Sequence, residues 1–252
     1  MVSKRGRRPS CQSPARDARA LRPIEVIVKL KRFILCLIGF IVIAIPSSLA
    51  RDDAQYWSQY SIKWLDTKYV DLVNFWDVRF TDDWSHVGLW FTRQQVRINP
   101  WKHLGFNVAY TYLETEVQNA AKTQNEYKYH HRLELELNPS WNLPNDWKLS
   151  NRNRVEFRWI EDKGSDNTRF RQLWELEVPV KKLRIESVYL NNELFYDFST
   201  QKFNEDRITP FGVKIKVCSK AYLKLFYLIQ CKKGARDWSS NQVFGTQVGV
   251  TF

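Results

Sequence analysis

Residues 127–137 read YKYHHRLELEL, and from Tyr127 every second side chain is aromatic, imidazole or leucine, with mostly charged side chains between them. A period of two is typical of a β-strand with one apolar and one polar face. Residues 103–117, 147–160 and 168–180 repeat the pattern. Segments of about 10 to 14 residues exceed the five or six usual in soluble sheets and match the length that crosses a bilayer as a tilted strand. The pattern therefore favours a transmembrane barrel over a soluble β-sandwich.

Eleven candidate strands can be placed after residue 50. They lie at about 54–65, 69–80, 86–98, 103–117, 127–138, 147–160, 168–180, 183–196, 207–217, 222–230 and 241–252. Single-chain bacterial barrels have an even number of strands, with both termini in the periplasm. The sequence therefore predicts an all-β, antiparallel up-and-down transmembrane β-barrel of 10 or 12 strands. In the ten-stranded version, residues 54–65 are an additional periplasmic or lumenal segment.

The predicted connections alternate between short and long. Short ones fall at residues 99–102, 180–182 and 218–221, and long polar ones at 118–126, 161–167, 197–206 and 231–240. Outer-membrane barrels have tight periplasmic turns and longer outer loops, so this alternation also favours a barrel.

The formal net charge of +12 is concentrated at the N-terminus. Residues 1–50 contain ten Lys or Arg and two acidic residues, which leaves 29 basic and 25 acidic residues, a net charge of +4, for residues 51–252. A nucleic-acid-binding domain carries a larger basic excess. No nucleic-acid partner is therefore expected.

The first fifty residues resemble an export signal. Basic Lys29, Lys31 and Arg32 precede an apolar run of thirteen residues, 33–45, and Ser48-Leu49-Ala50 supplies a small-x-small end. This order predicts a secretory signal peptide cleaved between Ala50 and Arg51. Thirteen helical residues span about 20 Å, which is too short for a retained anchor. We expect residues 1–50 to be an N-terminal extension and signal peptide, with translation starting nearer Val28, and residues 51–252 to be the barrel.

The C-terminal strand predicts how the chain is assembled. Apolar side chains recur at every second position before the terminal aromatic residue, and we expect the following residues to form the assembly signal: Phe244, Val248, Val250 and Phe252. Such a strand resembles the signal that the outer-membrane assembly machinery recognises. Together with the export signal, it predicts the outer membrane of a Gram-negative bacterium as the location and the lipid bilayer as a partner.

Aromatic side chains gather near the predicted strand ends, where amphipathic rings favour the headgroup interface. The predicted aromatic belt comprises Tyr110, Tyr112, Tyr127, Tyr129, Trp141, Trp147 and Trp159. The alternative is that these rings fill the core of a soluble β-sandwich.

Charged side chains share one face of three successive strands. They are Arg132, Glu134, Glu136, Arg152, Arg154, Glu156, Arg158, Arg169, Arg171, Glu175 and Glu177. Each would cost about 2–4 kcal/mol against lipid at mid-bilayer, so we expect them to form a lumenal charge network. Such a network either cross-braces a filled, narrow barrel or lines a path for a small solute of unspecified chemistry.

No catalytic residue is assigned. A lipid hydrolase would need a Ser beside a His, and Ser85 adjoins His86, but at adjacent strand positions the two side chains would face opposite ways. His130 and His131 have no Ser close in sequence. No metal-ligand spacing or cofactor motif appears, so neither a metal nor a cofactor is expected. Cys218 and Cys231 could form one disulfide, although the predicted hairpin register does not place them opposite each other.

Several short motifs resemble the bacterial domain-of-unknown-function 2490 family. They are Gln55-Tyr56-Trp57, residues 151–158 (NRNRVEFR), residues 192–196 (NELFY) and residues 223–227 (LKLFY), followed by the final strand. The resemblance covers nearly all of residues 52–252 and implies an outer-membrane-type barrel without an assigned activity. We expect a narrow channel or a structural barrel with a charged lumen. The alternatives are an outer-membrane lipid hydrolase and a soluble periplasmic β-barrel binding protein.

Overall fold

Eleven long strands account for most of the residues that the structure describes. The structure is a computed structural model and describes residues 51–118, 125–165, 167–182, 184–234 and 237–252. The predicted signal peptide lies outside these residues. The strands are β1 (Arg51–Asp66), β2 (Val70–Thr81), β3 (His86–Trp101), β4 (Leu104–Gln118), β5 (Asn125–Asn142), β6 (Lys148–Ile160), β7 (Arg169–Lys182), β8 (Ile185–Asp197), β9 (Lys202–Cys218), β10 (Ala221–Lys233) and β11 (Trp238–Thr251).

The strands close into a barrel in chain order. Each strand from β1 to β10 pairs antiparallel with the next, and β11 pairs with β1 to close the sheet. The β1–β11 pair is parallel, with Tyr56 beside Phe244 and Ile62 beside Val250. The barrel is therefore mixed, with one parallel seam.

The predicted strand number of 10 or 12 is wrong. All eleven segments are strands, and residues 54–65, which the ten-stranded version leaves outside the wall, form the middle of β1. The parity rule assumes that first and last strands meet antiparallel. A parallel pair also satisfies the backbone hydrogen-bonding groups of both strands. A barrel with an odd number of strands can therefore close through one parallel pair.

Two predicted long loops are mostly strand. The connection between β8 and β9 is residues 198–201, and that between β10 and β11 is residues 234–237. Residues 202–206 continue β9 because they pair with the end of β8, with Glu205 opposite Phe195 and Phe203 opposite Tyr196. A bulge between these two pairs leaves Phe203 exposed while Glu205 faces inward. The longest connection between strands is residues 161–168, between β6 and β7.

The two chain ends of the barrel lie at opposite rims. β1 and β11 both run from the rim that carries residues 82–85 and 198–201 toward the rim that carries the short connections 102–103 and 219–220. We call these the loop rim and the turn rim. Arg51 therefore starts at the loop rim, and Phe252 ends at the turn rim.

Polar side chains fill much of the interior, and the buried apolar cluster is small. It consists of Trp57, Leu228 and Val243, with Phe226 packed against it. Aromatic rings of neighbouring strands lie over inward-facing glycines: Tyr189 is opposite Gly212, and Phe226 is opposite Gly245. A side chain at either glycine would occupy the space of that ring. Within the described ranges, no helix is long and apolar enough to cross a membrane.

Candidate functional site: a charged lumen

The eleven predicted charged residues lie on the inward face of β5, β6 and β7. Register explains how they meet: Glu136 is opposite Arg154, and Glu134 is opposite Glu156. On the next pair, Glu156 is opposite Arg169. Two glutamates in direct opposition repel each other, so a cation must lie between them.

Arg154 supplies that cation. Its guanidinium lies 2.5 Å from a Glu136 carboxylate oxygen, 3.2 Å from Glu134 and 3.5 Å from Glu156. Its Nε donates a hydrogen bond to Glu136 at 2.6 Å. Arg154 thus binds three carboxylates on two strands. Its charge-assisted hydrogen bonds offset the free-energy cost of removing these charged groups from water.

Glu156 is the second centre of the network, and its side chain has no exposed surface. Arg169 and Arg171 each approach it to 2.6 Å. Arg171 also donates two hydrogen bonds of 3.0 Å to Glu193 on β8. The pairs therefore extend from β5 across the barrel wall to β8.

Sequence reasoning missed the residues that extend the network on both sides. Arg93 on β3 lies 3.3 Å from Glu134. Glu193 on β8 binds Arg152 at 2.6 Å, and Glu205 on β9 binds Arg207 at 2.6 Å. The alternation along β3, β8 and β9 could have identified these residues. On β3, for example, Arg93 lies between Phe91 and Gln95 at every second position, on the face that points inward.

Three predicted members lie at the edges of the network. Arg158 binds Asp197 at 2.7 Å near the loop rim. Glu175 accepts a hydrogen bond from Asn191 at 3.2 Å, and Glu177 accepts one from Ser187, both toward the turn rim. Arg132 faces the interior, and its Nε has no hydrogen-bond partner among the described residues.

A cavity of about 1410 Å³ occupies the barrel beside this network. Lys68, Lys102 and Lys220 line it at the turn rim, so it reaches that end. A second cavity of about 170 Å³ includes Thr81, Thr115 and Glu116 near the loop rim. The two cavities have four lining residues in common, namely Arg79, Leu89, Gln230 and Lys232. These four residues form the junction between them.

Six of the seven predicted belt residues occupy outward strand positions, and Trp147 lies in the connection between β5 and β6. Tyr110, Tyr127, Tyr129, Trp141 and Trp159 are exposed. Tyr112 and Trp147 are half-buried, and Tyr112 donates a hydrogen bond to Glu114. Of the predicted assembly signal, Phe244, Val248 and Phe252 are exposed and Val250 is partly buried. The last strand is fully paired, with β10 on one side and β1 on the other.

The structure corrects the expectation for Ser85 and His86. Ser85 lies in the connection before β3, so strand parity does not apply to it, and its Oγ lies 3.2 Å from His86 Nδ1. His86 Nε2 lies 2.5 Å from Glu116 on β4. A serine, a histidine and a carboxylate are thus hydrogen-bonded in series at the loop rim.

His130 and His131 have no serine or carboxylate hydrogen-bond partner among the described residues. Nδ1 of His131 is hydrogen-bonded to the Tyr110 hydroxyl at 2.6 Å on the outer face. Nδ1 of His130 is buried with no partner among the described residues. The described chain groups no three His, Cys, Asp or Glu side chains so that they could hold a metal ion.

The two cysteines lie at opposite ends of the barrel. Cys218 ends β9 at the turn rim, and Cys231 lies near the loop-rim end of β10. Both are free thiols, so no bridge joins them.

Comparison with known proteins identifies a family. A search of the curated proteins found no match, and a search of the solved structures found none. The model of the family described as "Protein of unknown function (DUF2490)" matches residues 54–241, which include most of β1, all of β2 to β10 and the network. The resemblance of the sequence motifs is thereby confirmed, and the chain belongs to the DUF2490 family.

Proposed function

We propose that residues 51–252 form an outer-membrane β-barrel of a Gram-negative bacterium, inserted by the outer-membrane assembly machinery. Its lumen is a narrow channel for a small solute, and the charged network braces the wall of that channel. The inverted polarity of the barrel carries this proposal: charges lie inside and apolar side chains lie outside.

One row across three strands illustrates the inversion. Val96 on β3 pairs with Val108 on β4, which pairs with Leu135 on β5. Their exposed fractions are 40%, 45% and 43%. Phe106 and Leu137 continue the apolar surface one step toward the turn rim, and both are exposed. Soluble monomers rarely expose apolar patches beyond about 300–600 Å², whereas lipid would cover this surface at no cost.

The spacing of exposed aromatic rings fits a bilayer. Tyr129 and Trp141 are both exposed on β5, twelve residues apart. At about 3.3 Å per residue and a tilt near 40°, this separation is about 30 Å along the barrel axis. The apolar band of an outer-membrane barrel is about 25 Å tall between its aromatic girdles. Rings at these two heights would therefore lie at the two headgroup layers.

The cavities support a channel rather than a barrel with a wholly structural role. The large cavity reaches the turn rim, and the smaller one extends toward the loop rim from the shared junction. At the junction, Arg79 donates hydrogen bonds to Asp77 at 3.1 and 3.2 Å and lies over the Trp57 ring, so the position of this side chain helps to set the width of the opening. The ion pairs centred on Arg154 and Glu156 lie on the wall formed by β5 to β8.

Cell fractionation followed by electrophoresis with and without boiling tests the membrane location. An outer-membrane barrel is expected in the outer-membrane fraction, with a mobility that changes on heating. Recovery from periplasmic extract without detergent, with no change in mobility, would instead support the soluble binding protein. Planar-bilayer recording of the refolded barrel tests the channel, and absence of conductance would leave a structural barrel.

The Ser85–His86–Glu116 series favours a second candidate function, a lipid ester hydrolase. His86 Nδ1 would accept the Ser85 proton as the hydroxyl attacks an ester carbonyl, and Glu116 would orient the ring. His86 would return that proton to the departing alcohol, and water would then hydrolyse the acyl–Ser85 ester to release the fatty acid. Ser85 lies at the loop rim next to exposed Trp84, near outer-leaflet ester groups in the proposed orientation. Release of fatty acid from phospholipid or lipid A, abolished in Ser85→Ala but retained in Ser61→Ala, is expected if this candidate is correct.

A further inference from the structure

Charge is distributed unevenly between the cavity walls and the other residues of 51–252. Among the described residues, the walls of the large cavity contain eighteen Lys or Arg and seven Asp or Glu, a net charge of +11. The other residues of 51–252 comprise eleven basic and eighteen acidic residues. Glu156, buried behind this wall, offsets part of the charge of Arg169 and Arg171, and the remaining positive excess surrounds one internal space. Clefts lined by one sign of charge focus the field and raise the local concentration of counter-ions.

The lumenal carboxylates do not neutralise this excess. Glu134, Glu136 and Glu193 already bind arginines at 3.3 Å or less. At the turn rim, Lys102, Lys148, Lys216 and Lys220 line the cavity without a carboxylate within 4.0 Å among the described residues. The ammonium groups at this rim are therefore available to an external anion.

Deeper in the cavity, several buried hydrogen-bond donors have no acceptor. Gln95 Nε2 and the Nε atoms of Arg93, Arg97 and Arg152 are buried with no partner among the described residues. Arg93 and Arg97 both donate to Gln95 Oε1, at 2.9 and 3.5 Å, which groups these donors on β3. Because Arg93 and Arg97 donate to the same oxygen, their guanidinium groups are adjacent like charges, and Arg152 on β6 lines the same cavity. Unpaired buried donors and adjacent like charges are both costly, and an anion among them would relieve both costs.

We propose that the lumen is a binding site for multivalent oxyanions, with Arg93, Gln95, Arg97 and Arg152 as the deep site and the rim lysines as its entrance. Guanidinium groups bind phosphate and carboxylate oxygens through paired hydrogen bonds, which favours an oxyanion over a halide. This inference rests on the proposed function, since it names the class of solute that the channel carries.

Titration of the refolded barrel in detergent with pyrophosphate measures the deep site directly. Wild type is expected to bind pyrophosphate, more weakly as salt increases, and not to bind spermidine. Arg97→Gln is the most informative variant because Arg97 has no carboxylate partner among the described residues. Its removal therefore leaves no buried carboxylate without a counter-ion. The loss of a charge-assisted contact is expected to weaken binding about tenfold. Lys202→Gln, an exposed residue at the loop rim, is the matched control and should bind like wild type.

Selectivity in planar bilayers separates this inference from the channel proposal. In a KCl gradient, the reversal potential is expected to indicate a preference for chloride over potassium, and micromolar pyrophosphate is expected to block the current. Binding without conductance would overturn the channel but support the anion site. A conducting barrel that prefers cations, or an Arg97→Gln variant that binds pyrophosphate as wild type does, would overturn the anion site.

Discussion

The ring of Trp64 stacks on the C-terminal ring of Phe252, with centroids 5.3 Å apart and planes inclined by 10°. The Phe252 amide also donates a hydrogen bond to the Lys63 carbonyl at 3.0 Å. The last residue of the chain is therefore held against the end of β1, at the turn-rim end of the parallel seam. In the folded barrel the predicted assembly signal is part of the closure, so the assembly machinery would have to recognise it before β1 and β11 pair.

Phe252 and Trp64 should therefore behave differently when truncated. Phe252→Ala is expected to reduce the amount of barrel reaching the outer membrane, because it removes both the proposed signal and the stack. Trp64→Ala removes only the stack, worth about 0.5–1.5 kcal/mol beyond area burial, and should lower thermal stability with near-normal assembly. Quantitative immunoblotting of membrane fractions and heat-modifiability midpoints measure the two effects. Equal assembly defects in both variants would contradict a separate signal role.

Loss of Glu156 should strongly destabilise the barrel. Its fully buried carboxylate binds Arg169 and Arg171 at 2.6 Å, so Glu156→Ala leaves two buried guanidinium groups without this counter-ion. Breaking a buried pair in this way costs about 3–5 kcal/mol. Unfolding in denaturant, followed by tryptophan fluorescence in detergent, measures the change. Glu126→Ala, at an exposed position near the loop rim, is the control, and equal midpoints for both variants would exclude a bracing role for Glu156.

The two faces of β5 should tolerate charge differently. Leu135→Lys places an ammonium group in the outward apolar row and is expected to cost about 2–4 kcal/mol if that row faces lipid. Asn138→Lys places the same group on the inward face of the same strand, where Asn138 lines the cavity, and should be tolerated. The two variants are compared by the fraction of each that refolds into lipid vesicles at increasing denaturant concentration. Equal yields for the two variants would argue against a lipid-facing row.

The parallel seam predicts on which side of the barrel an extension before β1 emerges. With the turn rim in the periplasm, an epitope placed immediately before Arg51, after a cleavable signal, should be exposed at the cell surface. An epitope at residues 219–220 should be protected until the outer membrane is permeabilised. Antibody labelling of intact and permeabilised cells distinguishes the two. A protected N-terminal epitope together with an accessible epitope at 219–220 would show the opposite orientation.

The sequence by itself determined the strands and their two faces. Alternation located all eleven segments, because a period of two follows from local strand geometry whatever the partner strand. It also placed Arg154, Glu156 and Arg171 on one face. The family resemblance was likewise visible in short motifs such as residues 151–158, and the family model matches that region.

Only the tertiary structure decided how the wall closes and which charges meet. Local pattern carries no information on whether β1 pairs with β11 in parallel, so the strand number could not follow from it. Arg93 and Glu134 are 41 residues apart in sequence, and only the register of β3, β4 and β5 brings them to 3.3 Å. Ser85 meets His86 because residues 82–85 leave the strand, a backbone conformation that strand parity does not describe. Side-chain direction is a local property of the chain, whereas closure, register and contact between distant charges depend on long-range backbone pairing.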